Sequence, residues 1–296
     1  MKEYQTEEIR NIVLLGHGSS GKTSLSEAML YSAGATTRLG RVDEGTTVSD
    51  YHDDEIERKF SISSSLLNCE WNKIKFNILD SPGYLDFVGE AKALTRVADL
   101  ALININGQSG VEVGTELVFK FAKEDELPVW FIINMLDKEH ADFQKSLNSI
   151  RSSFTKKAVQ MQIPVNSGPN FDTIADIITQ KVIKYKNDQK GTYTELEPTD
   201  EIKERLIALK NELIESVAES DDVLLEKYLS EGTISEEEFL NGLRNAIIKR
   251  NLFPVFVAAG LNNIGVTKIM DHIVNFAPTP SAKISVSGSY NGTPIT

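Results

Sequence analysis

One eight-residue run constrains this chain more than any other feature: Gly16-His17-Gly18-Ser19-Ser20-Gly21-Lys22-Thr23. It matches G-x-x-x-x-G-K-[ST]. Before it comes the apolar run Asn11 to Leu15, and after it Leu25, Ala28, Met29 and Ser32 recur at helical spacing up to Gly34. Strand, loop and helix form the context in which the pattern has a mechanism. Glycines let the backbone wrap a polyphosphate without Cβ clashes, so that successive N–H groups and the helix N-terminus point at the anion. Lys22 is expected to bridge the β- and γ-phosphates, and Thr23 to offer its hydroxyl to Mg²⁺. His17, Gly18, Ser19, Ser20, Gly21 and Ser24 make up the rest of the expected cradle.

The remaining pattern shows what carries this loop. A long polar stretch from Thr36 to Ser63 has no sustained periodicity and reads as a functional loop. Ser65 to Trp71 and Ile74 to Leu79 read as a hairpin, Phe87 to Val97 as a helix, and Leu100 to Ile105 as a strand. Val113 to Lys123 follows as a helix, Val129 to Ile133 as a strand and Phe143 to Phe154 as a helix. This alternation predicts an α/β fold with a doubly wound, mostly parallel sheet. The rhythm breaks after about residue 157. A turn at Asn187 to Gly191 and two acidic helical segments follow, one over Glu201 to Tyr228 and one starting at the capping-box spacing Ser235/Glu238. The pattern resumes with strand Pro254 to Ala258 and a helix from Ile264 to Phe276, ended by Pro278 and Pro280. The expected division is therefore 1–157 and 253–280 for the main domain, 158–252 for an inserted α+β subdomain, and 281–296 as a linker toward a further domain.

Composition sets limits on partners. At 296 residues, with 41% hydrophobic and 25% charged residues, the chain can bury a sizeable core. A net charge of −12 argues against broad nucleic-acid binding, so free DNA is not an expected partner and any RNA contact is local. No window approaches the ~20 apolar residues that span a bilayer, which points to a cytoplasmic protein with no membrane partner. The lone Cys69 reads as a packed thiol.

Two further motifs point to the nucleotide. Asp80-Ser81-Pro82-Gly83 follows a strand, which places Asp80 to support the Mg²⁺ shell and Gly83 to bring a backbone N–H to the γ-phosphate. Asn134-Met135-Leu136-Asp137 follows the strand ending at Ile133, at the edge where ligands bind in such sheets. Guanine presents N1–H and N2–H₂ as adjacent donors that the Asp137 carboxylate can accept together, whereas adenine N1 is an acceptor. Ala258-Ala259-Gly260, after the last strand, can supply N–H donors to guanine O6. Four motifs in this order, each at a strand end, point to a GTP/GDP site with Mg²⁺.

Over nearly its whole length the chain resembles elongation factor G and its relatives, the ribosomal protection proteins among them. The likeness extends to Asp53 to Arg58, to Gly83-Tyr84-Leu85-Asp86-Phe87 with Glu90, and to Asn134 to Phe143. Leu213-Ile214-Glu215-Ser216 and Glu226-Lys227-Tyr228-Leu229 carry it into the inserted region. The resemblance implies a monomeric GTPase whose partner is the ribosome, with the nucleotide domain facing the sarcin–ricin loop and the insertion near the acidic stalk proteins. It also implies that the remaining domains would start about where this chain stops.

Several positions depart from the family pattern. Tyr84 stands where the family has the histidine that orients the attacking water, and Lys59, Phe60 and Ser61 stand in place of Gly-Ile-Thr, with Ser61 keeping a hydroxyl for Mg²⁺. Gly18 and Ser19 replace an apolar gate residue and an aspartate, Met135 replaces lysine, and Ala259 replaces serine. Lys22, Gly83 and Tyr84 are the candidate catalytic groups. A phenol does not closely replace imidazole chemistry, so slow hydrolysis is expected. Two alternatives stay open: a nucleotide-gated, ribosome-binding switch or protection factor without significant chemistry, and a P-loop ATPase or kinase outside translation, which Asp137 and the insertion argue against.

Overall fold

A computed structural model describes residues 2–282, 288–290 and 293–295. The chain opens with β1 (Ile9–Gly16), the phosphate-loop candidate and α1 (Lys22–Ser32). The expected long loop carries one short helix, α2 (Asp53–Arg58). A hairpin of β2 (Ser65–Trp71) and β3 (Ile74–Asp80) follows, then α3 (Val88–Thr95), β4 (Leu100–Asn106), α4 (Val113–Glu124), β5 (Val129–Asn134) and α5 (Phe143–Ser153). The next segment supplies β6 (Ala158–Gln160), β7 (Gln162–Pro164), β8 (Thr173–Asp176), β9 (Lys181–Tyr185) and β10 (Tyr193–Leu196). Three helices come next, α6 (Asp200–Ala218), α7 (Asp222–Glu231) and α8 (Glu236–Ile248), and then β11 (Phe253–Val257) and α9 (Val266–Phe276).

The large sheet has the order β2-β3-β1-β4-β5-β11-β6, and every pairing in it is parallel except the β2–β3 hairpin. Strands β4 and β5 are buried almost throughout, as expected of central parallel strands with helices on both faces. Between sheet and helices the core is aromatic: Trp130 meets Phe256 at 5.0 Å between ring centroids, and Phe131 stacks on Phe154 at 5.6 Å.

Within the segment expected as an insertion, Ala158–Gln160 first pairs parallel with Phe253–Val255 as an edge strand of the large sheet. The chain then passes through Met161, whose N–H is donated to the Val255 carbonyl and whose carbonyl accepts from Ile177, into a separate antiparallel sheet of order β10-β9-β8-β7. The helical pattern over Glu201 to Tyr228 is interrupted. Asp221 accepts from Val223 N and Leu224 N and starts a new helix, so three helices stand where two segments were read. The expected capping box at α8 is formed by Ser235 and Glu238. Half of the linker expected over 281–296 lies outside the described residues, and within the rest Gly288–Tyr290 and Thr293–Ile295 pair antiparallel. Among the described residues no helix is long and apolar enough to cross a membrane.

The small sheet is pinned to α9 by a buried polar contact. Asp176, at the end of β8, bonds the His272 ring of α9 at 2.6 Å, and its other oxygen accepts from the Ile178 and Thr179 amides. Burial pushes the Asp176 carboxyl up, but the His272 charge and hydrogen bond, helped by Thr179 and Gln162, outweigh it and hold it at about 2. From an ordinary 3.8 this corresponds to about 2 kcal/mol of folding stability. Because the folded value is depressed, that contribution is complete above pH 3.8 and is lost as pH falls through about 2. Asp176→Asn, which removes the carboxylate from this buried contact, is expected to cost about 2 kcal/mol near neutrality. In urea unfolding followed by circular dichroism, the stability difference between variant and parent should shrink as pH drops from 4 toward 2.

Candidate nucleotide-binding site

Parallel register brings the four motifs to one edge. In the ladders Leu14 lies opposite Asp80, Gly16 opposite Asn104, Asn106 opposite Asn134 and Ile133 opposite Val257, so the loops after β1, β3, β5 and β11 leave the sheet side by side. Gly21 caps α1 in the left-handed region at φ 83°, and a Cβ there would sit 2.6 Å from Asn134 Nδ2. The residues between Gly16 and Lys22 therefore close into a cradle at the first turn of α1. Lys22 Nζ, buried, donates to the Gly16 and His17 carbonyls at 3.2 and 3.0 Å. Burial lowers its pKa to about 8, opposed by Asp80 and Asp50, which leaves it mostly an ammonium at neutral pH. The position after Pro82 tolerates only glycine, since a Cβ on Gly83 would overlap Lys22 Nζ and approach Gly18 to 2.9 Å.

A cavity of about 230 Å³ is lined by Gly18, Ser19, Gly21 to Ser24, Asp50, Phe60, Ser61, Gly83, Tyr84 and Met135, among others. Not every expected cradle residue points into it. His17 packs its ring against Gly114 and lies 3.9 Å from Glu112, so what it offers the loop is its carbonyl. At the cavity floor Thr23 Oγ1 and Ser61 Oγ are 3.2 Å apart. Ser26 donates to Asp80 Oδ2, while Asp80 Oδ1 and both oxygens of Asp50 are buried without a partner. Burial raises the pKa of both carboxyls, that of Asp50 to about 6. Orphaned carboxylate oxygens beside two hydroxyls are a set of hard oxygen donors, suited to Mg²⁺. Among the described residues no cluster of three or more His, Cys, Asp or Glu could hold a metal unaided, so a cation here would need phosphate oxygens as well.

Asp50 was not picked out in the sequence, where it lies in an unpatterned stretch. Of the carboxylates that hold this stretch, Glu27 was not picked out either, while Glu55 and Glu90 entered only through the family likeness and without a role. Glu27 Oε1 accepts from Val48 N at 2.6 Å, Glu55 Oε1 from Ile62 N and Ser63 N, and Glu90 Oε2 from Ser64 N. Amide-to-carboxylate bonds take the place of secondary structure in shaping this loop. For Glu27 a signal existed, because it sits four residues after Thr23 and thus on the same helix face as the site.

At the other end, Asn134 laces three loops together. Its amide donates to the Ser20 and Gly21 carbonyls, and its Oδ1 accepts from Met135 N and Gly260 N. Met135 adopts φ 62° and brings its methyl group close to Gly21. Asp137 is largely buried and accepts from Asn262 Nδ2 at 2.9 Å. The expectation that Ala258, Ala259 and Gly260 offer N–H groups to a base meets a different geometry. Ala258 N is donated to Ile133 O, Ala259 N to Ile264 O and Gly260 N to Asn134 Oδ1. Sheet continuation and a tight turn consume the amides that sequence position alone suggested were free.

Tyr84 and two other departures from the family pattern prove to be neighbours. Its ring stands over Gly18, with ring carbons 3.2–3.4 Å from where a Cβ would be, and lies 4.6 Å between centroids from Phe60, tilted by 53°. The Tyr84 ring thus occupies the space that a side chain at position 18 would need.

Comparison with known proteins shows the family. The family model of the elongation factor Tu GTP binding domain matches residues 7–279. Elongation factor G of Thermotoga neapolitana is 34% identical over 274 residues, covering 93% of this chain and 39% of that protein. A crystal structure of a Thermus thermophilus protein superposes with a TM-score of 0.88 at 32% identity, covering 95% of this chain and 42% of that one. The chain thus spans about two fifths of the length of these relatives. With its phosphate loop, two carboxylate-bearing loops and base-side loop on one sheet edge, the chain belongs to the elongation factor Tu GTP binding domain family, as a domain of the elongation factor G-like kind.

Proposed function

We propose that this domain binds GTP and GDP with Mg²⁺ as the nucleotide switch of a ribosome-acting translation factor, and that it hydrolyses GTP slowly. The observation that carries the reading is the common sheet edge from which the loops bearing Lys22, Thr23, Asp80 and Asp137 leave, with Asn134 bonded to the phosphate loop and to Gly260. In this reading the backbone from Gly18 to Ser24 cradles the phosphates and Lys22 neutralises their charge. Thr23, Ser61 and Asp80, joined by Asp50, hold the cation, which when bound would neutralise charge on the phosphate oxygens. Asp137 reads the guanine edge, and Asn134 and Met135 flank the base. Residues 1–157 and 253–280 form the nucleotide domain and 158–252 the insertion, with β6 contributed to the large sheet. The ribosome enters by resemblance, and so do the sarcin–ricin loop and the stalk proteins.

Slow hydrolysis is supported by where the Tyr84 ring sits. Packed on Gly18 and Phe60, it occupies the γ-phosphate side of the cavity with a phenol in place of an imidazole. The same packing favours the second reading, a GTP-dependent ribosome-binding or protection factor, because it ties the long loop to the phosphate loop without requiring turnover.

Three outcomes are expected. GTP and GDP should displace a fluorescent guanine nucleotide while ATP does not, and Asp137→Asn should move preference from guanine toward xanthine; displacement by ATP at equal concentration would refute guanine recognition. Asp50→Asn should raise the Mg²⁺ concentration for half-maximal GTP binding several-fold in a titration at fixed nucleotide, and an unaltered midpoint would remove Asp50 from the cation site. With ribosomes present, single-turnover hydrolysis should run at least roughly 10²-fold below an ordinary elongation factor G and rise in Tyr84→His. A parent rate matching the ordinary factor would contradict the slow-hydrolysis reading.

A further inference from the structure

Asp137 can discriminate guanine only if both of its oxygens lie in the plane of two adjacent base donors. The terminal torsion of an aspartate is a broad, roughly two-fold well, so the carboxylate plane is not set by its own chemistry. Something must hold it. Among the described residues the side chain hydrogen-bonded to Asp137 is that of Asn262, through Nδ2 to Oδ2 at 2.9 Å. Lys138 Nζ stands 4.0 Å from the same oxygen, beyond hydrogen-bond range, on a side chain that is 43% exposed. The neighbouring position in the base-side loop, Ala259, has no side-chain donor.

Asn262 is itself held. Its N–H is donated to the Ala259 carbonyl, and Ala259 and Ile264 bridge the loop by exchanging both backbone bonds. The following residue, Asn263, is buried at φ 55° and anchors the loop through its side chain to Ser32 of α1 and to the carbonyl of Gln189 in the β9–β10 turn. A donor mounted on so constrained a turn has little freedom to follow the carboxylate, so the carboxylate follows the donor.

We infer that Asn262 is a positioning residue for base recognition: it orients the Asp137 carboxylate so that both oxygens meet the guanine edge. The inference rests on the proposed role of Asp137 and adds to it. A carboxylate accepts at about four lone-pair directions, so one bond to Asn262 leaves room for two from the base. Loss of the anchor penalises a two-donor base more than a one-donor base, because a freely turning carboxylate still meets a single N–H.

The test compares GDP with inosine diphosphate, which lacks the N2 amino group, by displacement of a fluorescent guanine nucleotide from the parent, Asn262→Ala, Asn262→His and Asn262→Asp. In Asn262→Ala, GDP affinity should fall about tenfold and inosine diphosphate affinity by clearly less, so that discrimination between them narrows. Asn262→His retains an N–H donor and should recover part of the discrimination. Asn262→Asp sets two carboxylates against each other and should bind GDP more weakly than Asn262→Ala. Thermal unfolding of the nucleotide-free variants within a few degrees of the parent would separate this effect from loss of fold, and should Asn262→Ala fail to fold, Asn262→Leu, which keeps the volume without a donor, takes its place under the same criteria. Unchanged discrimination in folded Asn262→Ala, or an equal loss for both nucleotides, would overturn the positioning role. A parent protein that binds ADP as tightly as GDP would instead refute guanine recognition by Asp137, a separate and distinguishable failure.

Discussion

Strands β3, β1, β4, β5, β11 and β6 all run the same way in a single sheet, and the rest of the structure depends on that parallel ladder. Parallel strands are joined by crossovers, so every loop that leaves a carboxyl end does so on the same side of the sheet. Because the registers place the ends of β1, β3, β5 and β11 close together, loops far apart in the chain meet on one edge of the sheet. Asn134 then converts adjacency into geometry, since its four hydrogen bonds reach the phosphate loop, its own loop and the base-side loop. A buried primary amide with all its bonds made costs little and specifies one arrangement.

The phosphate end works against the charge of the molecule as a whole. In a chain of net charge −12, attraction for a polyphosphate comes from local features: one buried lysine, the amides of the loop and the first turn of α1. Around that lysine Asp80 and Asp50 are also buried, with three oxygens lacking partners. Groups so placed are costly in the folded state, which is the usual signature of a site arranged for a ligand that is charged itself. The long loop after α1 is held to this end by Glu27, Glu55 and Glu90 through backbone amides, so its order depends on carboxylates belonging to three different elements.

The segment that carries the small sheet is tied to the elements around it at defined points. Met161 links the two sheets, Asp176 reaches His272 of α9, and the β9–β10 turn touches the base-side loop through Gln189 and Asn263. Thr267 of α9 adds contacts to Gly191 and Tyr185. Most of these contacts are polar and directional, so the small sheet sits against α9 in a specified orientation and lends rigidity to the loop that bears Asn262.

By itself the sequence determined the class of fold and the order of most elements of the large sheet, and it singled out the candidate phosphate loop. Those properties are local: the apolar runs Ile12 to Leu15 and Val129 to Ile133 have no polar face to turn toward solvent, and a glycine-rich turn before a helix does its work within eight residues. The short strands of the small sheet escaped notice because runs of three to five residues, such as Gln162–Pro164 and Lys181–Tyr185, carry too little alternation to register as a period. Only the tertiary structure decided that Asp50 and Asp80 stand together beside Lys22, that Tyr84 fills the space over Gly18 against Phe60, that the amides of Ala258 to Gly260 are already donated, and that Asn262 holds Asp137. Apart from the Ala259 amide, which is donated within its own turn, each of these is a contact between residues set apart in the chain or a hydrogen bond whose partner lies on another element. Local propensity has no means of encoding such pairings, because they come into being only when the parallel ladder brings separate strand ends together.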